Sequence, residues 1–312
     1  MKKAAVAGAL AVAAVVLSAP VHAHAKTVSP QPTATVSPTP VPSPSPSTSS
    51  TPPPVQERKT TVRYGRHVKQ RMDVYWRDND QLVRPVVFMI HGGWWSGGDK
   101  AYMKAITRSY YELGYVVVNV NYRLSGDARW PAQRDDALEA IETTRRMAGE
   151  FGLDPNRYAV IGFSAGGHIA ASIGTYGHGQ PGLRAVVGVS PVISPLTAYS
   201  DGGADATHEQ RKLRQAAVAL AGGCGPNQCP RIWSSMEVPF HASYGDAPML
   251  SVHSSREFVP PYQSELLRES LANYGVNMTV RKYPGTFHSS PLFREPGVAE
   301  TIQTWVIGHL AY

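Results

Sequence analysis

From about Arg58 to the end of the chain, short apolar runs alternate with longer stretches whose apolar residues recur at helical spacing. That alternation is the mark of βαβ units, and it commits the segment to an α/β fold with a mostly parallel central sheet and helices on both faces. Strands are predicted at 60–64, 70–75, 86–90, 115–121, through 158–161, and at 185–189, 249–252 and 278–283. Helices are predicted at 101–113, 131–150, 164–174, 261–274 and 296–310, with Gly114 and Gly152 placed to end the first two. Residues 195–244 interrupt the alternation with a helix-like 209–221 and a Gly- and Pro-bearing segment. This stretch is a candidate cap over a binding site, with a surface excursion as its equal alternative.

The amino-terminal part has a different composition. Lys2 and Lys3 precede an apolar run over 4–17, and Val21-His22-Ala23 or Ala23-His24-Ala25 fits a small-x-small cleavage site, so 1–25 is expected to be a secretory signal peptide. The run is shorter than the ~20 residues that span a bilayer, so no stable membrane span is expected. Residues 26–57, rich in Pro, Ser and Thr, have too little apolar bulk for a core and are expected to be an extended, disordered linker. Such a linker is a candidate for cell-wall association and for O-linked sugars. The folded domain is then 58–312, secreted or wall-associated. Removing Lys2 and Lys3 lowers the formal charge from +7 to +5, and no Lys/Arg cluster interleaved with aromatics is present, which argues against a nucleic-acid partner. Cys224 and Cys229, with four intervening residues in a turn-rich segment of an exported chain, are expected to form a disulfide.

The chemistry lies at the strand ends. The run 158–161 leads into Gly162-Phe163-Ser164-Ala165-Gly166-Gly167. In this pattern a strand turns sharply into a helix and lifts a serine hydroxyl clear of the sheet. A serine needs an imidazole to take its proton and a carboxylate to orient that imidazole. Groups of this kind collect at the carboxyl ends of parallel strands. His288 follows the last strand and is assigned as general base, then general acid. Glu257 is the acid in the window after 249–252, and the order Ser164, Glu257, His288 fits the triad order of such sheets. His253 is read as supporting structure and His168 as packed away from the hydroxyl. The strand 86–90 ends in His91-Gly92-Gly93-Trp94-Trp95, a Gly-rich loop able to aim amides at a developing oxyanion. Gly93 and Trp94, joined by Ala165, are the candidate donors. Trp94 and Trp95 are candidates for an apolar wall of the substrate pocket, with packing beneath the loop the equal alternative for Trp95.

These residues resemble the α/β-hydrolase superfamily, and within it the H-G-G-x-W carboxylesterases that include hormone-sensitive-lipase-like, feruloyl and acetylxylan esterases and kynurenine formamidases. The resemblance runs from about Tyr64 to the end. It rests on Tyr64-Gly65, Met72-Asp73-Val74-Tyr75, His91-Gly92-Gly93-Trp94-Trp95 with Gly98-Asp99-Lys100, the serine motif through His168, Pro248-Met249-Leu250, Val259-Pro260 with Gln263-Ser264, and Pro284-Gly285 with His288. It implies an α/β-hydrolase fold with serine, acid, histidine and oxyanion roles on Ser164, Glu257, His288 and the amides of Gly93, Trp94 and Ala165. The group usually has Asp in the acid loop. Aligned from Val259-Pro260 the acid slot falls on Arg256, and counted forward from His253 it falls on Glu257. The expected function is hydrolysis of short acyl or aryl esters through an acyl-enzyme, with acetyl or feruloyl groups on polysaccharide as candidates and no metal or organic cofactor. The competing expectations are an arylformamidase-like amide hydrolase and a non-catalytic wall-binding protein on the same fold.

Overall fold

The computed structural model describes residues 56–78 and 82–311. The expected signal peptide and nearly all of the expected linker lie outside the described residues. Eight strands form one sheet: β1 (Gln56–Arg63), β2 (Arg71–Asp78), β3 (Arg84–Ile90), β4 (Val116–Val120), β5 (Leu153–Phe163), β6 (Leu183–Val189), β7 (Met249–Ser254) and β8 (Met278–Tyr283). Their spatial order is β1-β2-β4-β3-β5-β6-β7-β8. β2 is antiparallel to β1 and to β4, and all the other pairings are parallel. The first strand begins at Gln56, two residues ahead of the expected domain boundary.

Buried on both faces, the central strands are continuous apolar runs, and period-two alternation sorts them between two cores. Phe88, Val118 and Val160 point to one face, where they meet Ala140, Ile169 and Leu267. Val87, Val117 and Ile161 point to the other, where they meet Tyr110, Ile302 and Val306. Helices Ala132–Arg146, Ala165–Gly174 and Tyr262–Ala272 therefore cover one side, and Lys104–Glu112 and Val298–Leu310 the other. The helix expected over 131–150 divides into Ala132–Arg146 and Ala148–Phe151 at Met147.

Residues 195–244 fold onto this body as three α-helices, Pro195–Asp201, His208–Leu220 and Pro230–Met236, and a short 3-10 helix, Val238–His241. Ala198, Leu213, Ala217, Leu220, Trp233 and Met236 join the first core, so the segment is anchored by apolar burial. Thr207 and Gln210 close a reciprocal capping box at the start of the second helix. Cys224 and Cys229 form a disulfide in the connection that follows it.

Candidate active site

Ser164 stands where β5 meets the helix Ala165–Gly174, at φ 53° and ψ −115°, a conformation that costs a residue with a side chain about 1–3 kcal/mol. The flanking glycines make the turn possible. A Cβ on Gly162 would lie 2.0 Å from the Gly166 carbonyl oxygen, and one on Gly166 would lie 2.4 Å from that of Ile90. The Ser164 amide is held by the Val189 carbonyl at 2.9 Å, which fixes the elbow to the neighbouring strand.

His288 reaches the serine from the loop after β8. That loop is tied down on several sides. Arg256 N–H donates to the Gly285 carbonyl, Ser254 Oγ–H to the Phe287 carbonyl, and Ser289 N–H to Ser190 Oγ. The ring of Phe258 lies 4.2 Å from that of His288. So held, His288 Nε2 sits 2.8 Å from Ser164 Oγ and its Nδ1 sits 2.5 Å from Glu257 Oε2.

Glu257 is buried, and its other oxygen accepts from His253 Nδ1–H at 2.8 Å and from the Ser254 amide at 3.1 Å. Burial pushes this carboxyl up, but the hydrogen bonds it accepts from His253 and His288 outweigh it and hold the group below the usual glutamate range. An ionised Glu257 fixes His288 as the Nδ1–H tautomer and leaves the Nε2 lone pair for the serine proton. His253 is buried, with its Nε2 accepting from Ser264 Oγ–H at 2.8 Å, so it holds the acid and does not face the hydroxyl. His168 is buried too, with its Nε2–H on the Met236 carbonyl, and burial pushes its pKa down to about 4.

The loop after β3 turns through three successive positive φ values, 124° at Gly93, 59° at Trp94 and 56° at Trp95. Successive left-handed residues turn amides toward a common concavity. Among the described residues nothing accepts a hydrogen bond from the amides of Gly93, Trp94 or Ala165. Ala165 also begins a helix, whose dipole presents its positive end there. Glycine is required at Gly93, where a Cβ would lie 2.3 Å from the Gly97 carbonyl, and at Gly98, where it would meet the Gly92 carbonyl at the same distance. Asp99 accepts from Asn121 Nδ2–H, and Lys100 Nζ lies 2.8 Å from the buried Asp73 of β2, so the Gly-Asp-Lys motif braces the loop against the sheet. Burial pushes His91 down to about 4, and as a neutral ring it donates from Nδ1 to the Gly92 carbonyl and stacks on Tyr122.

Ser164 and His288 open into a cleft of about 400 Å³, walled by Trp94, Phe258, Tyr102 and Lys212. Trp94 stacks on Phe258 with ring centroids 5.2 Å apart. Trp95 does not take part. Of its two expected positions, pocket wall or packing beneath the loop, it takes the second: it is fully buried in the first core and packs edge-on to His168. Sequence reasoning missed Phe258 and Lys212. Phe258 follows the acid directly, a position from which it could have been suspected, whereas nothing in the sequence connects Lys212 to the serine. Among the described residues no group of three or more His, Cys, Asp or Glu is arranged to hold a metal ion, and no helix is long and apolar enough to cross a membrane.

Residues 72–271 match the family model BD-FAE. The carboxylesterase NlhH of Mycobacterium tuberculosis is 35% identical over 153 residues, 47% of this chain and 44% of that protein. The chain spans less than two thirds of the length of the first curated relatives it matches. A truncated carbohydrate esterase from gut microbiota superposes with a TM-score of 0.69 at 20% identity, covering 82% of this chain and 97% of the other. An acetyl ester-xyloside bifunctional hydrolase from Caldicellulosiruptor lactoaceticus gives 0.65 at 22% identity, covering 80% and 97%. At such identities the superpositions establish the fold.

Proposed function

The chain belongs to the BD-FAE family of α/β-hydrolases, and from that premise we propose that it is a serine carboxylesterase acting through an acyl-enzyme. The observation that carries this reading is the unbroken relay from Ser164 Oγ through His288 to Glu257 at the floor of an open cleft. Ser164 Oγ attacks the ester carbonyl carbon while His288 Nε2 takes its proton, and the negative charge on the carbonyl oxygen falls to the amides of Gly93, Trp94 and Ala165. His288 returns the proton to the departing alcohol. Water then enters, gives a proton to His288, attacks the acyl carbon and frees the acid, and the proton goes back to Ser164.

The substrate is a short acyl or aryl ester, with acetyl or feruloyl groups on polysaccharide the favoured class. The aromatic cleft suits an aryl or sugar ring, and the carbohydrate esterase and the acetyl ester-xyloside bifunctional hydrolase that share the fold add support. We place the protein outside the cell, secreted or wall-associated through its Pro/Ser/Thr linker, a placement supported by the amino-terminal pattern and by a disulfide, which persists in oxidising compartments.

The test compares p-nitrophenyl acetate, an arylformamide and acetylated xylan as substrates of the wild type and of Ser164→Ala. Ester turnover and acetate release by the wild type, both lost in the variant, are expected. Arylformamide turnover exceeding ester turnover would replace this reading with the amide reading, and no turnover of any of the three would overturn catalysis.

A further inference from the structure

The walls of the catalytic cleft are apolar or neutral apart from His288 and one cation. Among the described residues lining it there is no Asp or Glu, and Lys212 is the one side chain that carries a permanent charge. Lys212 comes from the helix His208–Leu220, so it is what residues 195–244 contribute to the cleft. Its Nζ lies 4.7 Å from the centre of the Trp94 ring, next to the proposed oxyanion loop. No carboxylate pairs with it among the described residues, although many of the chain's other surface cations have such partners. Glu257, the acid of the relay, spends its oxygens on His253, Ser254 and His288.

An ammonium held by a ring face keeps its remaining hydrogens free for an incoming acceptor. Lys212 is exposed, so its attraction for an anion is a screened, salt-sensitive one that shifts binding by a modest factor. A cleft with one unpaired cation and no acid favours a negatively charged substrate group and gives a positively charged one nothing to pair with.

We propose that Lys212 is a specificity-determining residue that selects esters carrying a carboxylate, borne either on the acyl group or on the alcohol, as on a uronic acid. This rests on the esterase reading of the same site. The carboxylate pairs with Nζ at the mouth of the cleft while the ester carbonyl lies over Ser164. Loss of the cation then raises KM for the anionic ester more than it lowers kcat.

The experiment measures kcat and KM for two matched pairs. Mono-p-nitrophenyl succinate and its methyl ester probe the acyl side, and 4-acetoxybenzoate and its methyl ester probe the alcohol side. The wild type, Lys212→Ala, Lys212→Arg and Lys212→Glu are compared at low and high salt. The expected result is that the anionic-to-neutral ratio of kcat/KM falls about fivefold in Lys212→Ala in at least one pair, chiefly through KM. The ratio is kept within about twofold by Lys212→Arg, falls further in Lys212→Glu, and narrows with salt in the wild type but not in Lys212→Ala. The pair that responds identifies the side bearing the charge. Ratios unchanged in Lys212→Ala and Lys212→Glu for both pairs, with the neutral esters still hydrolysed, would overturn this inference and leave the esterase reading standing. Hydrolysis of none of the four esters by the wild type would overturn the esterase reading, and this inference with it.

Discussion

Glu257 receives three donors at once, from His253, Ser254 and His288, which favours the ionised carboxylate over the protonated acid. The extra methylene of glutamate lets one side chain reach both the buried histidine of its own strand end and the imidazole on the next loop. Glu257→Gln keeps the shape but removes the charge and puts an NH2 opposite one imidazole, so kcat is expected to fall about 10³- to 10⁴-fold with an unchanged circular dichroism spectrum. Activity within tenfold of the wild type would show that another group orients His288. Gly93→Ala is expected to lower kcat at least tenfold, since its Cβ would lie 2.3 Å from the Gly97 carbonyl and must shift the amides aimed at the oxyanion. Steady-state kinetics with p-nitrophenyl acetate check both. At this scale Ser164 and His288 were legible because each occupies a strand end that the sequence marks with glycine. For Trp95 the sequence left pocket wall and packing beneath the loop equally open, because adjacency in sequence does not say which of two neighbours the loop turns inward; the structure shows the second.

Among the elements, the βαβ alternation was legible from the apolar runs, and five of the eight strands contain or match their expected cores. In the other three the expected ends overrun by one residue, Tyr64 beyond β1, Gln70 ahead of β2, and Tyr115 and Asn121 on either side of β4. The helices Pro195–Asp201 and Pro230–Met236 were not legible, since seven residues make too short a window for a 3.6-residue period to declare itself. The segment they belong to is fixed by apolar anchors and by the Cys224–Cys229 link, next to which Trp233 Nε1–H donates to the Cys224 carbonyl at 2.9 Å. Closing so small a loop is worth about 2 kcal/mol in the chain-entropy account. The double variant Cys224→Ser/Cys229→Ser is therefore expected to melt about 4–8 °C lower by calorimetry. An unchanged melting temperature would mean that burial alone holds the segment.

At the scale of the whole molecule, buried titratable groups set how stability follows pH, and no sequence pattern announces which groups those are. His91 and His168 are pushed down from 6.5 to about 4 by burial, so the unfolded chain binds protons that the folded one refuses, and stability falls as pH drops through that window. Glu237 does the opposite. Burial raises it from 4.5 to about 7 against hydrogen bonds from Ser194 and the Leu196 amide, so the folded chain keeps a proton that the unfolded one gives up, and its contribution falls as pH rises from 4.5 to 7. Glu237→Gln removes the cost of ionisation, and relative to the wild type it should gain about 2 to 3 kcal/mol between pH 5 and pH 8 in urea denaturation. A difference that does not change with pH would show that Glu237 titrates normally in the fold.

The central claim is that Ser164 is the nucleophile of the relay, and covalent trapping tests it most directly. After treatment with a fluorophosphonate, intact mass and peptide mapping should find one adduct per chain on the peptide bearing Ser164, none in Ser164→Ala, and much slower labelling in His288→Ala. An adduct on a different serine, or labelling that survives Ser164→Ala, would contradict it.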